Sequence, residues 1–253
     1  MAYTNSFLVS YTKLSPNHSG QRTHSIDRIT PHCVVGQLTA ESICGCFTSP
    51  SVEASCNYGI GKDGKIALCV EEKNRSWCSS SRENDQRAVT IECASDLKDP
   101  YAMTTAVYNS LVKLCTDICK RNGKKKLLWL GDKNKTLNYS PKSDEMVLTV
   151  HRWFANKSCP GDWLYSRLGD LASKVTAALG GSSSGSGTSV LYRVRKSWSD
   201  AKSQKGAFNN LDNAKRCADS NAGYSVYDES GKVVYTGKQT GSGSSSGSFL
   251  VQV

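Results

Sequence analysis

The sequence predicts an α/β fold, a central mixed β-sheet flanked by helices, followed by a small α+β domain. Short β-rich runs in the first half are separated by turn-forming residues, and two longer segments repeat apolar residues at helical spacing. A Gly/Ser-rich stretch then separates a short C-terminal part from the rest. With 253 residues and 38% hydrophobic content, the chain is long enough for one sizeable core and a smaller one.

The strands predicted for the first domain lie in "IDRITPHCVV", "CNYGIG", "KIALCV" and "RAVTIECA". Each run is rich in β-branched or apolar residues and is bounded by turn signals. Asp63 and Gly64 stand between the second and third runs, and an Asp-Gly pair in this position predicts a tight hairpin. These runs are expected to form the sheet.

Two helices are predicted to pack on this sheet. The first ends at "RNG" and is indicated by the helical spacing of Val107, Leu111, Leu114, Cys115 and Ile118. The second is predicted in "DWLYSRLGDLASKVTAAL", which carries another helical pattern. Strands mixed with helices are typical of the α/β class.

The domain boundary is predicted in "GGSSSGSGTS", which has no apolar residue and the composition of a flexible linker. This gives a first domain over 1–179, a linker over 180–189 and a small α+β domain over 190–253. In the last, "VLYRVRK" predicts a strand, "NLDNAKRCADS" a helix, and "YSVYD", "ESGK" and "VVYTG" a hairpin. The terminal run "FLVQV" is interpreted as a further strand.

The formal charge is +10, and both domains are basic. Residues 1–180 carry 23 basic and 17 acidic side chains, which leaves +6, and 181–253 carry 9 and 5, which leaves +4. Such a chain favours polyanionic partners: nucleic acid, anionic lipid or a cell wall. The run "KRNGKKK" follows a predicted helix, where cations complement the helix dipole, so we expect no nucleic-acid binding.

Neither membrane insertion nor secretion by a signal peptide is expected. No run of about 18 apolar residues is present, so no membrane span is predicted. The first 25 residues lack the basic and continuous apolar regions of a secretion signal, which predicts synthesis in a cytosol. Most of the eleven cysteines are accordingly expected to be reduced core residues. Cys44 and Cys46 lack the spacing of a zinc knuckle and are expected only to pack.

Three residues suggest a metal site. His151 precedes Cys159 by eight residues, and Cys159 is followed by Pro-Gly, which predicts a fixed turn. His32 ends a predicted strand, where α/β folds place their chemistry. Two nitrogens and one sulfur with an open fourth position are typical of catalytic zinc. From spacing alone, the alternative of a core histidine and a buried thiol stays open.

The stretches "RITPHC", "NYGIGKDGKI", "NRSWC", "RAVTIE" and "VHRWFANKSCPGDWL" together resemble the type-2 N-acetylmuramoyl-L-alanine amidase family of zinc peptidoglycan amidases. The resemblance covers most of residues 5–178 in the same order. It implies that His32, His151 and Cys159 bind Zn²⁺, that Glu92 is the base, and that Lys157 stabilises the oxyanion. The implied reaction is hydrolysis of the amide between N-acetylmuramic acid and L-alanine of the stem peptide. For Glu92, an outward-facing strand carboxylate is the alternative.

The sequence departs from the family pattern at two positions. Many members have a tyrosine where this chain has Cys56, and Tyr58, on the same strand face, is the candidate to approach the cleft instead, with core packing as the alternative. The family histidine that follows a tryptophan is replaced by Cys78, which with Trp77 either lines the substrate groove or packs.

Two further substrate-binding candidates flank the second histidine of the proposed site. Arg152 and Trp153 directly follow His151, and each either contacts the substrate or closes the core. Both are therefore retained as candidates.

The C-terminal domain resembles the cell-wall-binding modules of clostridial phage endolysins. Its aromatic residues and nearby arginines are suited to sugar stacking and anion pairing, and the alternative is that the tyrosines form the domain's core. The whole chain is interpreted as an endolysin made in the host cytoplasm that acts on the bacterial cell wall after release. A non-catalytic peptidoglycan-binding receptor and an amidase recycling soluble muropeptides are the alternatives. Oligomeric state and target species are not predicted.

Overall fold

The computed structural model describes residues 3–180, 191–208 and 211–238. The chain divides into two compact units, Met1–Ser184 and Gly185–Val253. Most of the predicted linker and all of "FLVQV" lie outside the described residues. Within the described ranges, no helix is long and apolar enough to cross a membrane.

The first unit is built on a seven-stranded mixed sheet, which confirms the predicted α/β class. Its order is β1-β5-β4-β7-β3-β9-β8, with β4 and β5 antiparallel and the remaining neighbours parallel. Strands β2 and β6 form a separate antiparallel pair. The nine strands are β1 (Val9–Thr12), β2 (His18–Gln21), β3 (Arg28–Cys33), β4 (Tyr58–Ile60), β5 (Ile66–Leu68), β6 (Asn74–Ser76), β7 (Ala88–Cys93), β8 (Lys126–Leu128) and β9 (Glu145–Leu148).

Six α-helices accompany these strands. They are α1 (Ala40–Gly45), α2 (Arg82–Arg87), α3 (Thr105–Arg121), α4 (Lys133–Leu137), α5 (Gly161–Tyr165) and α6 (Leu168–Ala178). The helix predicted from Val107 to Ile118 is confirmed as α3, which begins where the Thr104 side chain accepts a hydrogen bond from the Val107 amide. The segment predicted as one helix after Cys159 instead forms two, α5 and α6, which are separated at Ser166 and Arg167.

The centre of the sheet positions the functional residues. All six residues of β3 and five of the six in β7 are buried, as expected for parallel strands covered on both faces. The predicted Asp-Gly hairpin is confirmed: β4 pairs antiparallel with β5, and Gly64 has φ +85°, which glycine adopts without strain.

Nine of the eleven cysteines are free thiols, as expected. The prediction that Cys44 only packs is wrong, because Cys44 forms a disulfide with Cys69, with their Cα atoms 5.3 Å apart. Helix α1 packs against β5, which brings the two residues together across 25 positions of sequence. Cys46 points outward and is exposed.

The second unit is a small antiparallel sheet with one helix among its described residues, in agreement with the predicted α+β class. Strands β10 (Tyr192–Arg195), β11 (Gly206–Phe208), β12 (Ser225–Tyr227) and β13 (Val233–Thr236) lie in the order β11-β10-β12-β13, and α7 spans Leu211–Asp219. Strand β11 was not predicted. The core consists of Val194, Ala214, Ala218, Tyr224 and Val226.

Candidate active site

His32 and Glu92 lie side by side on the two central strands. They are register partners on the parallel strands β3 and β7, so their side chains point to the same face of the sheet. His32 Nδ1 is 3.8 Å from Glu92 Oε1. The imidazole is fully buried, whereas 14% of the Glu92 side chain is exposed. The pairing of these two strands therefore fixes a carboxyl group next to an imidazole.

His151 and Cys159 approach His32 from the segment that follows β9. His151 begins a short 3₁₀ helix, His151–Trp153, and the Arg152 amide donates to the Cys159 carbonyl, which closes the loop between the two residues. The His32 and His151 ring centroids are 5.0 Å apart, and His32 Nδ1 is 3.3 Å from Cys159 Sγ. One ligand atom from each of the three residues lies within 4.8 Å of the others.

This donor set fits a zinc ion. Zinc–nitrogen and zinc–sulfur bonds of ordinary length at a tetrahedral angle put the two donors about 3.6 Å apart, close to the separation of His32 Nδ1 and Cys159 Sγ. His32 Nε2 is buried without a hydrogen-bond partner in the described structure. Burial, with a contribution from nearby His151, lowers the pKa of His32 to about 3, which keeps the imidazole in the neutral form that metals bind.

The Cys159 thiol requires a cation to ionise in this environment. A hydrogen bond with Cys33 and burial together raise the pKa of Cys159 well above its usual value. A bound metal ion stabilises the thiolate and reverses this preference. The thiol is therefore suited to metal binding and not to acting alone as a nucleophile.

Glu92 has the character of a proton acceptor that works near neutral pH. Burial raises its pKa to about 7, and a hydrogen bond from Cys78 opposes this only in part. Its Oε2 atom is buried and has no hydrogen-bond partner among the described residues. The alternative of an outward-facing strand carboxylate does not match this placement.

A cleft of about 490 Å³ opens beside these residues. Its lining includes Trp77, Cys78, His151 and Lys157. The two predicted groove residues and the predicted oxyanion-stabilising lysine thus share one surface with His151, a candidate metal ligand. Arg75 and Arg82 also line the cleft, which with Lys157 gives it three cationic side chains against the carboxyl groups of Glu53 and Asp85. Burial lowers the pKa of His151, and the positive charge of nearby Lys157 lowers it further.

The loop that carries Trp77 and Cys78 is held by Asp85, which sequence analysis missed. The buried Asp85 carboxylate accepts hydrogen bonds from the Cys78 and Ser79 amides and from the Ser79 hydroxyl. Ser80 has φ +60°, and its Oγ lies 2.9 Å from His151 Nε2. The sequence feature that could have identified Asp85 is Ser81, which caps the N-terminus of α2 and so places Asp85 in the first turn of that helix, next to the loop.

Two predicted substrate contacts are corrected. Gly59 is the register partner of Glu92, so Tyr58 points to the opposite face of the sheet. Its hydroxyl donates to Glu72 Oε1 at 2.6 Å and accepts from the Ser6 amide at 2.8 Å, inside the core. Trp153 is also buried; it stacks on Trp129 with ring centroids 5.2 Å apart and closes the core.

Arg152 braces the segment that carries Cys159. Its guanidinium donates to the Ser158 carbonyl and to Asp162 Oδ1 at 3.0 Å, and it lies over the Tyr165 ring at 4.6 Å. It is not among the residues that line the cleft. The contacts of the Arg152 guanidinium are therefore with the segment around Cys159 and not with the cleft.

A family model described as N-acetylmuramoyl-L-alanine amidase matches residues 22–162, more than half of the chain. Similar solved structures include PlyL, 15% identical over 65% of this chain and 95% of its own, with a TM-score of 0.47. An AmpD derivative is 18% identical over 68% of this chain and 99% of its own, with a TM-score of 0.49. The endolysin N-acetylmuramoyl-L-alanine amidase LysCS from Clostridium intestinale is 15% identical over 69% of this chain and 98% of its own, with a TM-score of 0.41. No curated protein sequence matches the chain.

Proposed function

The chain belongs to the N-acetylmuramoyl-L-alanine amidase family, and we propose that it is a zinc-dependent endolysin. Its reaction is hydrolysis of the amide that joins the lactyl carboxyl of N-acetylmuramic acid to the amino group of L-alanine in the stem peptide. One observation carries this proposal: two histidines and a cysteine converge next to a largely buried glutamate, and one of the histidines, His151, lines an open cleft.

In this proposal His32, His151 and Cys159 hold Zn²⁺, which when bound acts as a Lewis acid toward the amide carbonyl and activates water. Because Ser80 contacts His151 Nε2, we propose that Nδ1 is the ring nitrogen that binds the metal. The contacts of Arg152 and Asp85 hold the two loops that surround the site. The protein thus fixes its donors before substrate arrives.

Glu92 is the proposed general base. A carboxyl group with a pKa near 7 is ionised in a large fraction of molecules at neutral pH and still returns a proton readily. Glu92 accepts the proton of the attacking water and passes it to the leaving amino group of L-alanine. Its unpartnered Oε2 is available for both transfers.

Cations on the cleft wall complement the charge of substrate and transition state. The Lys157 ammonium stabilises the negative charge that develops on the amide oxygen during attack. Arg75 and Arg82 favour binding of the carboxylates of peptidoglycan stem peptides. These roles depend on the charges and on their position along the cleft.

The second unit is proposed to bind the cell wall. Trp198 has the guanidinium of Arg195 at 5.1 Å and that of Arg193 at 5.7 Å from its ring centre. A half-buried indole next to arginines is suited to sugar rings and wall anions. Tyr224 lies in the core of this unit, and Tyr192 and Tyr235 pack against that core, so these tyrosines are less suited to contact the wall. A tethered anchor of this kind raises the local enzyme concentration on an insoluble substrate.

We further propose that the chain is made in the cytoplasm of a host bacterium and acts on the wall after release. A binding-only receptor is favoured by Cys56 alone, which occupies the position of the family tyrosine. A receptor without turnover has no need of a complete metal donor set beside a buried base. Recycling of soluble muropeptides is disfavoured by the appended second unit.

The test is digestion of purified bacterial walls combined with metal analysis. We expect one zinc per chain and new L-alanine amino termini, without new reducing sugars. New reducing sugars would identify a glycosidase, and wall binding without any product would identify a receptor.

A further inference from the structure

A second set of metal-ligand atoms lies next to the first and shares His32 with it. One ligand atom from each of His32, Cys78 and Glu92 lies within 4.8 Å of the others. Cys78 Sγ is 3.9 Å from Glu92 Oε1, which is 3.8 Å from His32 Nδ1. Donor atoms around a tetrahedral zinc or cobalt ion are about 3.4 to 3.7 Å apart. The His32 nitrogen and the Cys78 sulfur lie within 4.8 Å of each other, so shifts of up to about an ångström would let these three side chains hold one ion.

An independent observation indicates that this position accepts a cation. Glu92 Oε2 is buried without a hydrogen-bond partner among the residues that the structure describes. A buried carboxylate oxygen without a partner is costly, and an adjacent cation satisfies it. A thiolate at Cys78 and a carboxylate at Glu92 together neutralise a dication, whereas the set with His151 and Cys159 supplies only one anion.

The two donor sets compete for one nitrogen atom. His32 Nδ1 makes the 3.3 Å contact to Cys159 Sγ and also the 3.8 Å contact to Glu92 Oε1. A single imidazole nitrogen binds one metal ion at a time. We propose that His32, Cys78 and Glu92 form a second, inactive position for the divalent metal ion, which excludes occupancy of the position formed by His32, His151 and Cys159.

The second position is inactive because it uses the base as a ligand. A carboxylate bound to the metal cannot accept the proton of the attacking water. Among the three ligands, Cys78 alone has no role in the proposed chemistry. Replacing Cys78 should therefore change the fraction of metal bound at the second position without removing a catalytic group. The inactivity rests on the proposed function, but metal binding at this position does not.

The test isolates the second position in the full chain and uses Co²⁺ as the probe, because thiolate ligands give cobalt a charge-transfer absorption band. The variant His151→Ala/Cys159→Ser keeps only the second set. We expect it to bind one Co²⁺ per chain with a thiolate band. Adding Cys78→Ser should remove the band and weaken binding at least tenfold. Adding Cys46→Ser, at an exposed thiol outside both sets, should change neither.

The proposal is overturned if His151→Ala/Cys159→Ser binds no Co²⁺, or binds it equally well after Cys78→Ser. If circular dichroism shows this variant to be unfolded, the single variant Cys159→Ser, which removes the thiolate of the first position, provides the measurement. Co²⁺ should then slow alkylation of Cys78 by iodoacetamide, with Cys46 as the internal reference. An unchanged rate at Cys78 overturns the proposal. Both measurements are made without substrate, so their outcome does not depend on whether the chain hydrolyses cell walls.

Discussion

Two clusters of buried and half-buried polar side chains in the first unit differ in whether their hydrogen bonds are complete. In the Glu72 cluster, both carboxylate oxygens of Glu72 are paired: Oε1 with Tyr58 and Arg121, and Oε2 with Arg121. In the His32 cluster, formed by His32, Glu92, His151, Cys159 and Cys78, the atoms His32 Nε2 and Glu92 Oε2 have no partner in the described structure.

This difference separates stability from function. A complete buried network holds its elements in one arrangement, and loss of any member leaves another buried group unpaired. An incomplete network costs free energy of folding, and unpaired or strongly shifted groups concentrate where a ligand or reaction uses them. We therefore expect changes in the Glu72 cluster to affect mainly folding, and changes in the His32 cluster to affect mainly chemistry.

The largest expected effect is on the metal donors. His151→Ala or Cys159→Ser should remove almost all wall-lytic activity and lower zinc content, because the remaining donors form an incomplete shell. Activity is measured as amino-terminus release and zinc by elemental analysis. A variant that retains full zinc and full activity would show that its residue is not a ligand. Cys115→Ser replaces a buried core cysteine that belongs to neither metal-ligand set, so it serves as the control and should keep its zinc.

The same chemical change at the two buried glutamates tests the comparison itself. Glu92→Gln should lower turnover by about two to four decades, the usual contribution of a general base. Glu72→Gln should leave turnover per folded molecule unchanged but lower the free energy of unfolding by about 3 kcal/mol, because Arg121 loses the more deeply buried of its two carboxylate partners. Turnover on a soluble muropeptide and denaturant unfolding are measured for both variants.

The two variants should also differ in the pH dependence of stability. The pKa of Glu92 is about 7 in the folded chain and about 4.3 in an unfolded one, so its burial disfavours folding increasingly as the pH rises through this interval. Metal-free Glu92→Gln should therefore unfold at a higher temperature than the metal-free unsubstituted chain at pH 8, with no difference near pH 4. A stability loss at pH 8 would place Glu92 with the structural cluster.

A smaller effect is expected when the second unit is removed. A chain ending at Gly180 retains every proposed catalytic residue, so its rate on soluble muropeptides should be close to that of the full chain. On intact walls it should be about ten to a hundred times slower at low enzyme concentration, because the anchor is lost. Loss of activity on soluble muropeptides would mean that chemistry is not confined to the His32 cluster.

The smallest effect is expected at the third buried atom without a partner, Arg75 Nε in the cleft wall. By the same reasoning we expect it to bind a substrate carboxylate. Arg75→Gln should raise KM about fivefold with little change in kcat, a loss of about 1 kcal/mol of binding. Arg87→Gln, where the arginine pairs with Asp27 outside the cleft, should lower stability without changing KM.

Much of the site was predictable from sequence, because its residues stand at recognisable positions. His32 ends an apolar strand, Cys159 precedes Pro-Gly, and the order of the motifs resembles the amidase family. Periodicity located α3, and the Asp-Gly pair located the hairpin. These features depend on residues close together in sequence.

The features that were missed or mispredicted depend on contacts between distant segments. The face on which Tyr58 lies is set by the register of β4 against β7, and a shift of one residue reverses it. The Cys44–Cys69 disulfide depends on how α1 packs on β5. Strand β9 was not predicted, although all four of its residues are buried. The loop at Ser80 depends on a positive φ and on Asp85 from the following helix.

The most direct test of the central claim is hydrolysis of a defined muramoyl peptide in water enriched in ¹⁸O, followed by mass spectrometry of the products. Amide hydrolysis at the His32 cluster transfers one water oxygen to the acyl product. We predict one ¹⁸O in the lactyl carboxyl of N-acetylmuramic acid, an unlabelled peptide beginning with L-alanine, and nearly complete loss of both products in Glu92→Gln but not in Glu72→Gln. Label at the sugar reducing end or in a peptide carboxyl, or equal product from Glu92→Gln, would contradict the account.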